Sequence, residues 1–169
     1  MNKVIDLIDK SHADCILQHC NYVAERLPKD KESDNHNVYA DSIGEAVLNY
    51  ILPKIEKAYG KKLCPTYSFW RKYYEGQPLT AHVDRPSCEV SVTLNIGGDG
   101  RDDWSIFVDN TEFSMERGQG VIYKGCEQPH WREPLKYKSH VQMFLHYIEV
   151  DGQYYPEFKY DKRPGLYFK

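Results

Sequence analysis

Between Ser11 and Gly60 the apolar residues recur every three to four positions, and from Thr66 onward they alternate with polar ones. The first spacing lines one face of a helix, the second one face of a strand. Ser11 is expected to cap a helix whose stripe is Ile16, Cys20, Val23, Ala24 and Leu27, stopped by Pro28. The charged run from Lys29 to Asn37 reads as a solvated loop. Ser42-x-x-Glu45 has the form of a capping box ahead of a second stripe, Ile43, Val47, Tyr50, Ile51 and Ile55, which ends at Gly60. Pro53 lies inside that stripe and should kink the helix or split it.

The alternating part predicts strands at Tyr67–Tyr73, Leu79–Asp84, Cys88–Ile96, Trp104–Val108, Glu112–Met115, Val121–Tyr123 and His140–Val150. Glu75–Pro78, Gly97–Gly100 and Arg117–Gly120 read as turns. Helices followed by many short strands is an α+β order, and the strand-rich part has the size of a jelly-roll. One domain over residues 1–169 is expected: a helical part to about 60, a jelly-roll core to about 150, and an aromatic, basic tail from 151. On the last long strand His140, Gln142, Phe144 and His146 share one face, which should look into the barrel. Val141, Met143 and Leu145 should then meet the helices. Glu89, Ser91, Thr93 and Asn95 likewise share a face, either solvated or part of a pocket.

Composition narrows the function. A net charge of −3 offers no general grip on nucleic acid or an anionic membrane. No apolar run approaches the roughly 20 residues of a membrane span, and the N-terminus is too polar for a leader peptide. The five cysteines contain no C-x-x-C pair and read as reduced thiols, so a cytoplasmic protein is expected. No G-x-S-x-G elbow is present, and no cysteine and histidine fall in a protease pattern, which argues against covalent catalysis. Gly97-Gly98-Asp99-Gly100 lacks the Lys-Ser/Thr and the helix start of a phosphate loop.

The chemistry concentrates at His82-Val83-Asp84 and at His130. Residues i and i+2 of a strand project from one face, so His82 and Asp84 can reach a single ion. Two histidines and one carboxylate on one face of a metal leave the opposite face open, as non-heme Fe(II) oxygenases require. A zinc hydrolase is an alternative on ligand chemistry alone, although no second general base lies nearby.

Trp70-x-x-Tyr73-x-x-Gly76-x-x-Leu79-x-x-His82-x-Asp84-Arg85 resembles the iron-binding region of 2-oxoglutarate/Fe(II)-dependent dioxygenases of the prolyl 4-hydroxylase type. Arg117–Tyr123 and Pro129-His130-Trp131-Arg132-Glu133-Pro134 are similar to that family's approach to its distal histidine. The likeness spans roughly residues 66–150, with its motifs in the right order. It implies a double-stranded β-helix, a distorted jelly-roll with N-terminal helices packed on its major sheet. It also implies Fe(II) on His82, Asp84 and His130, with 2-oxoglutarate and O2 as cosubstrates. Hydroxylation of an unactivated C–H bond follows, with a peptidyl side chain, prolyl first among them, as the leading substrate and a small molecule as the other. Tyr73 matches a tyrosine that hydrogen-bonds the cosubstrate. The family's basic partner for the far carboxylate lies about ten positions beyond the distal histidine, where this chain has His140. That is a departure, and Arg85, Arg132 and Lys138 are further candidates. It also keeps open a metal-binding jelly-roll without turnover, or a cupin-like hydrolase or isomerase.

Overall fold

The computed structural model describes residues 2–99 and 103–168. Strand β1 (Lys3–Asp6) is followed by helix α1 (Lys10–Ala24), β2 (His36–Tyr39) and α2 (Ser42–Tyr59). The remaining strands are β3 (Leu63–Tyr74), β4 (Leu79–His82), β5 (Val90–Gly98), β6 (Ile106–Val108), β7 (Thr111–Phe113), β8 (Gln119–Tyr123), β9 (His130–Arg132) and β10 (Ser139–Glu149). They form a six-stranded sheet ordered β1-β8-β5-β10-β3-β2 and a four-stranded sheet ordered β4-β9-β6-β7. The registered pairs are antiparallel throughout. This is a mostly β architecture with two helices, of the jelly-roll kind. No helix among the described residues is long and apolar enough to cross a membrane.

The strand parity read from β10 holds. Val141, Met143 and Leu145 join Val92, Leu94 and Ile96 of β5 in one cluster with Leu48, Ile51 and Ile55 of α2. The other face of the large sheet carries Ser91, Thr93, Asn95, His140, Gln142 and His146, all buried. The polar face of β5 is therefore interior and not solvated. A sheet with one apolar face under helices and one polar, sealed face has an interior built for something other than packing.

Several local expectations are corrected. The first sixty residues also supply β1 and β2, the two edges of the large sheet, so Lys29–Asn37 is a loop only until β2 begins at His36. Pairing of His36–Tyr39 with β3 covers an edge that would otherwise be open. Helix α1 starts earlier than Ser11, with Asp9 at its N-cap. At α2 the cap is Asp41, whose carboxylate accepts from the backbone N–H groups of Ile43 and Gly44. Glu45, the expected partner in a capping box, points inward, where its side chain is fully buried against Arg163. Pro53 neither splits nor ends α2. Leu48, Ile51 and Ile55 bury completely on both sides of it, and their packing outweighs the roughly 3 kcal/mol proline cost. The turn at Gly97–Gly100 begins later than expected, since β5 runs through Gly98; Gly100 lies outside the described residues. Trp104 precedes its strand, which starts at Ile106. The tail folds back: Asp161 reaches Arg85 and Arg163 reaches Glu45.

Candidate metal centre

His82 ends β4 and His130 begins β9, and the two are cross-strand partners in the small sheet. Asp84 follows β4, its N–H donating to the Gly125 carbonyl at 2.8 Å. One ligand atom from each of the three residues lies within 4.8 Å of the others. Asp84 Oδ1 stands 3.4 Å from His82 Nε2 and 3.6 Å from His130 Nε2. Donors held about 2.1 Å from one ion at right angles are roughly 3 Å apart, so the spacing is that of a site.

The histidine tautomers follow from their partners. His82 Nδ1 lies 2.8 Å from the Thr80 carbonyl oxygen and His130 Nδ1 lies 2.9 Å from that of Gln128. A carbonyl only accepts, so each Nδ1 carries the proton and each Nε2 presents a lone pair to the centre. Burial penalises the Asp84 carboxyl, yet hydrogen bonds from His130 and His82, which those rings make when Nε2 is protonated as well, outweigh the penalty and hold the carboxyl well below its usual range. His82 is shifted upward, chiefly by the same carboxylate.

A supporting layer lies behind Asp84. Ser91 Oγ donates to Asp84 Oδ2 at 3.1 Å and sits 2.9 Å from His146 Nδ1, so that ring donates to the serine. Burial pushes His146 down to about 4, which keeps it neutral. Gly125 admits this packing: a Cβ there would stand 2.5 Å from Asp84 Oδ2 and 2.3 Å from Ser91 Oγ. Asp84, Cys88 and His146 form a second possible ligand group. It is the weaker one, because burial pushes the Cys88 thiol up and Tyr67 hydrogen-bonds its sulfur.

The centre opens on a cavity of about 320 Å³ whose walls include Tyr39, Tyr67, Phe69, Arg71, Tyr73, Leu79, Arg85, Tyr123 and Phe144. Tyr73 is fully buried, and its hydroxyl has no hydrogen-bond partner. Arg132 shares strand parity with His130 and is also completely buried. Its Nη1 donates to the Trp104 carbonyl and its Nη2 to Thr93 Oγ1 at 3.1 Å. Its Nε has no partner, and burial pushes its pKa down to about 10. An arginine in that position without a carboxylate is a standing electrostatic cost.

His140 lies in the same interior, 5.6 Å from the Trp104 ring that Arg132 covers at 4.9 Å. Burial, reinforced by the Arg132 charge, pushes it down to about 3, so it is neutral near pH 7. Its Nε2 sits between Asn95 Oδ1 at 3.1 Å and Gln142 Nε2 at 2.9 Å, and its Nδ1 is unpartnered. Arg85 is engaged elsewhere, with two bonds of 2.9 and 2.8 Å to the tail residue Asp161. Lys138 lies just outside β10. Ser91 and His146 lie on the strand faces that the sequence turns toward the interior or a pocket; Gly125, Arg71 and Asp161 carry no such mark, apart from the parity of Arg71 with Tyr73.

No protein-family model matches this chain, and no curated protein matches it by sequence. Solved structures do match. The viral collagen prolyl hydroxylase of Paramecium bursaria Chlorella virus-1, in complex with 2-oxoglutarate, superposes with a TM-score of 0.65 at 12% identity, covering 86% of this chain and 94% of its own. A Pseudomonas putida prolyl-4-hydroxylase gives 0.62 at 16%, covering 86% and 91%. The non-heme alpha-ketoglutarate-dependent epimerase SnoN of nogalamycin biosynthesis gives 0.69 at 8%, covering 88% and 76%. The chain therefore has the fold found in 2-oxoglutarate-Fe(II) oxygenases.

Proposed function

We propose that the protein is an Fe(II)- and 2-oxoglutarate-dependent dioxygenase built on a double-stranded β-helix, hydroxylating an unactivated C–H bond. The observation that carries this reading is the convergence of two Nε2 lone pairs and one carboxylate beside an uncompensated interior arginine. A metal-binding jelly-roll without turnover would have no use for that buried cation, and neither would a hydrolase using only a metal-bound water. The unpartnered Tyr73 hydroxyl and Arg132 Nε are donors that a carboxylate would satisfy. The donor set thus fits both iron and 2-oxoglutarate.

When bound, the pair supplies the oxidising chemistry: 2-oxoglutarate and O2 become succinate and CO2 as a substrate C–H becomes C–OH. His82, Asp84 and His130 hold the ion on one face and leave the other free for cosubstrate and O2. The Thr80 and Gln128 carbonyls hold the two rings in their ligating tautomers, and Ser91 with His146 aims Asp84. Arg132 and Tyr73 take the far carboxylate, in place of a basic residue at position 140. His140 contributes as a neutral neighbour. Trp104, Phe144 and Leu79 keep water from the interior, which strengthens each of these contacts.

The test is calorimetric titration of 2-oxoglutarate into the Mn(II)-loaded protein. A charge-assisted hydrogen bond contributes about 1.5–3 kcal/mol, so Arg132→Met should weaken 2-oxoglutarate ten- to a hundredfold. His140→Gln should cost less. Full affinity in Arg132→Met would remove this anchor from the account.

A further inference from the structure

Three arginines stand near the metal centre, and their charges are disposed of differently. Arg85 is neutralised by Asp161, which also accepts from Ser87 Oγ at 2.6 Å and from the Tyr39 hydroxyl at 2.5 Å. Arg132 is fully buried on β9 and is assigned above to the cosubstrate. Arg71 remains, with no ion pair among the described residues. It lines both the cavity that holds His82 and Asp84 and the adjoining groove formed by Glu32, Ser33, Asn35 and Gln77–His82.

Arg71 is held ready for a ligand. It alternates on β3 with Phe69 and Tyr73, whose ring centroids lie 5.4 and 5.5 Å from its guanidinium carbon. Its Nε is buried without a partner. An arginine held by two rings, with part of its donor fork unsatisfied, is pre-organised for a planar anion. The cavity is at the small end of the range for ligand sites, which starts near 300 Å³, and must admit the cosubstrate as well. The tail, through Asp161, holds Tyr39 and Arg85 as a wall on one side. That geometry disfavours a threaded polypeptide. One guanidinium balances one carboxylate, whereas a phosphate dianion would leave a charge unpaired.

On the dioxygenase reading above, we propose that Arg71 is the substrate anchor and that the substrate is a small carboxylic acid. Its carboxylate would lie on the Arg71 fork, with the carbon to be oxidised turned toward the metal.

The experiment uses the full chain loaded anaerobically with Fe(II) and saturating 2-oxoglutarate. Matched probes are titrated by ligand-observed NMR, where relaxation by the ion reports proximity. The pairs are L-proline and L-prolinamide, isovalerate and isovaleramide, and phenylacetate and phenylacetamide, with acetyl-Gly-Pro-Gly-amide as the peptide probe. At least one acid should bind tenfold or more tightly than its amide. Arg71→Ala should abolish that preference, and Arg71→Lys should restore part of it. Equal binding of acids and amides, no binding by any acid, or binding of the peptide alone would overturn the inference. Loss of 2-oxoglutarate affinity in Arg71→Ala, with none in Arg132→Met, would overturn it too and assign Arg71 to the cosubstrate. Absence of 2-oxoglutarate binding in the wild-type protein would instead sink the dioxygenase reading itself.

Discussion

Breaking the Glu45–Arg163 pair should loosen the tail and destabilise the whole molecule, and the two ways of breaking it should differ. The Glu45 side chain is fully buried on α2 and the Arg163 side chain is 8% exposed. Glu45 accepts from the Ser68 N–H at 3.1 Å, from the Tyr167 N–H at 3.1 Å and from Arg163 Nη2 at 3.2 Å. Removing one partner of a buried pair costs about 3–5 kcal/mol, a large share of a typical 5–15 kcal/mol total. In Glu45→Gln the stranded guanidinium can escape, because the tail can swing into water; the loss should fall near 3 kcal/mol. In Arg163→Met the carboxylate is fixed in a helix under the sheet and has no such exit, so the loss should be greater. With a urea slope of about 2 kcal/mol per M, 3 kcal/mol lowers the midpoint by about 1.5 M. Brief trypsin digestion under native conditions should cut both variants after Lys159 or Lys162 faster than the parent. Midpoints within about 0.5 M of the parent, with an equally protected tail, would refute the view that this pair holds the tail down.

Two further outcomes follow from the interior. His140 has a folded pKa near 3 against about 6.5 when unfolded, so below pH 6.5 the unfolded chain binds the extra proton and acid favours unfolding. Its contribution is fully present above pH 6.5 and fades toward pH 3, with a slope of up to about 1.4 kcal/mol per pH unit. Urea unfolding of the metal-free protein at pH 7.0 and 5.5 should therefore show a shallower loss in His140→Gln; an identical loss would contradict a neutral buried ring. Gly125→Ala should cost ten- to a hundredfold in Mn(II) affinity, read by electron paramagnetic resonance, because its Cβ would displace Asp84 and Ser91. Unchanged affinity would show that the loop yields without moving the ligand.

What was legible in the sequence is what local rules govern. The alternation in β5 and β10 assigned each residue to the helix side or the interior, and the i, i+2 spacing brought His82 toward Asp84. The same parity rule links His130 to Arg132, yet family spacing pointed to His140 for the positive charge. Spacing along the chain could not show that burial makes His140 neutral while a residue on another strand keeps its charge beside it. The capping box at Ser42 was a good local pattern, but the register moved by one because Asp41 was available and Glu45 was needed under the tail. The tail contacts join residues 76 and 118 positions apart, beyond any periodicity. Strand β2 was hidden because its short, polar edge sequence carries little signal of its own.

The central claim is tested most directly by anaerobic titration of the purified protein with Fe(II) and then 2-oxoglutarate, followed by visible absorption. The account predicts one Fe(II) per chain and a weak metal-to-ligand charge-transfer band that grows with 2-oxoglutarate and vanishes in His82→Ala, Asp84→Ala and His130→Ala. Iron binding without the band, or a band that survives loss of any of the three side chains, would contradict it.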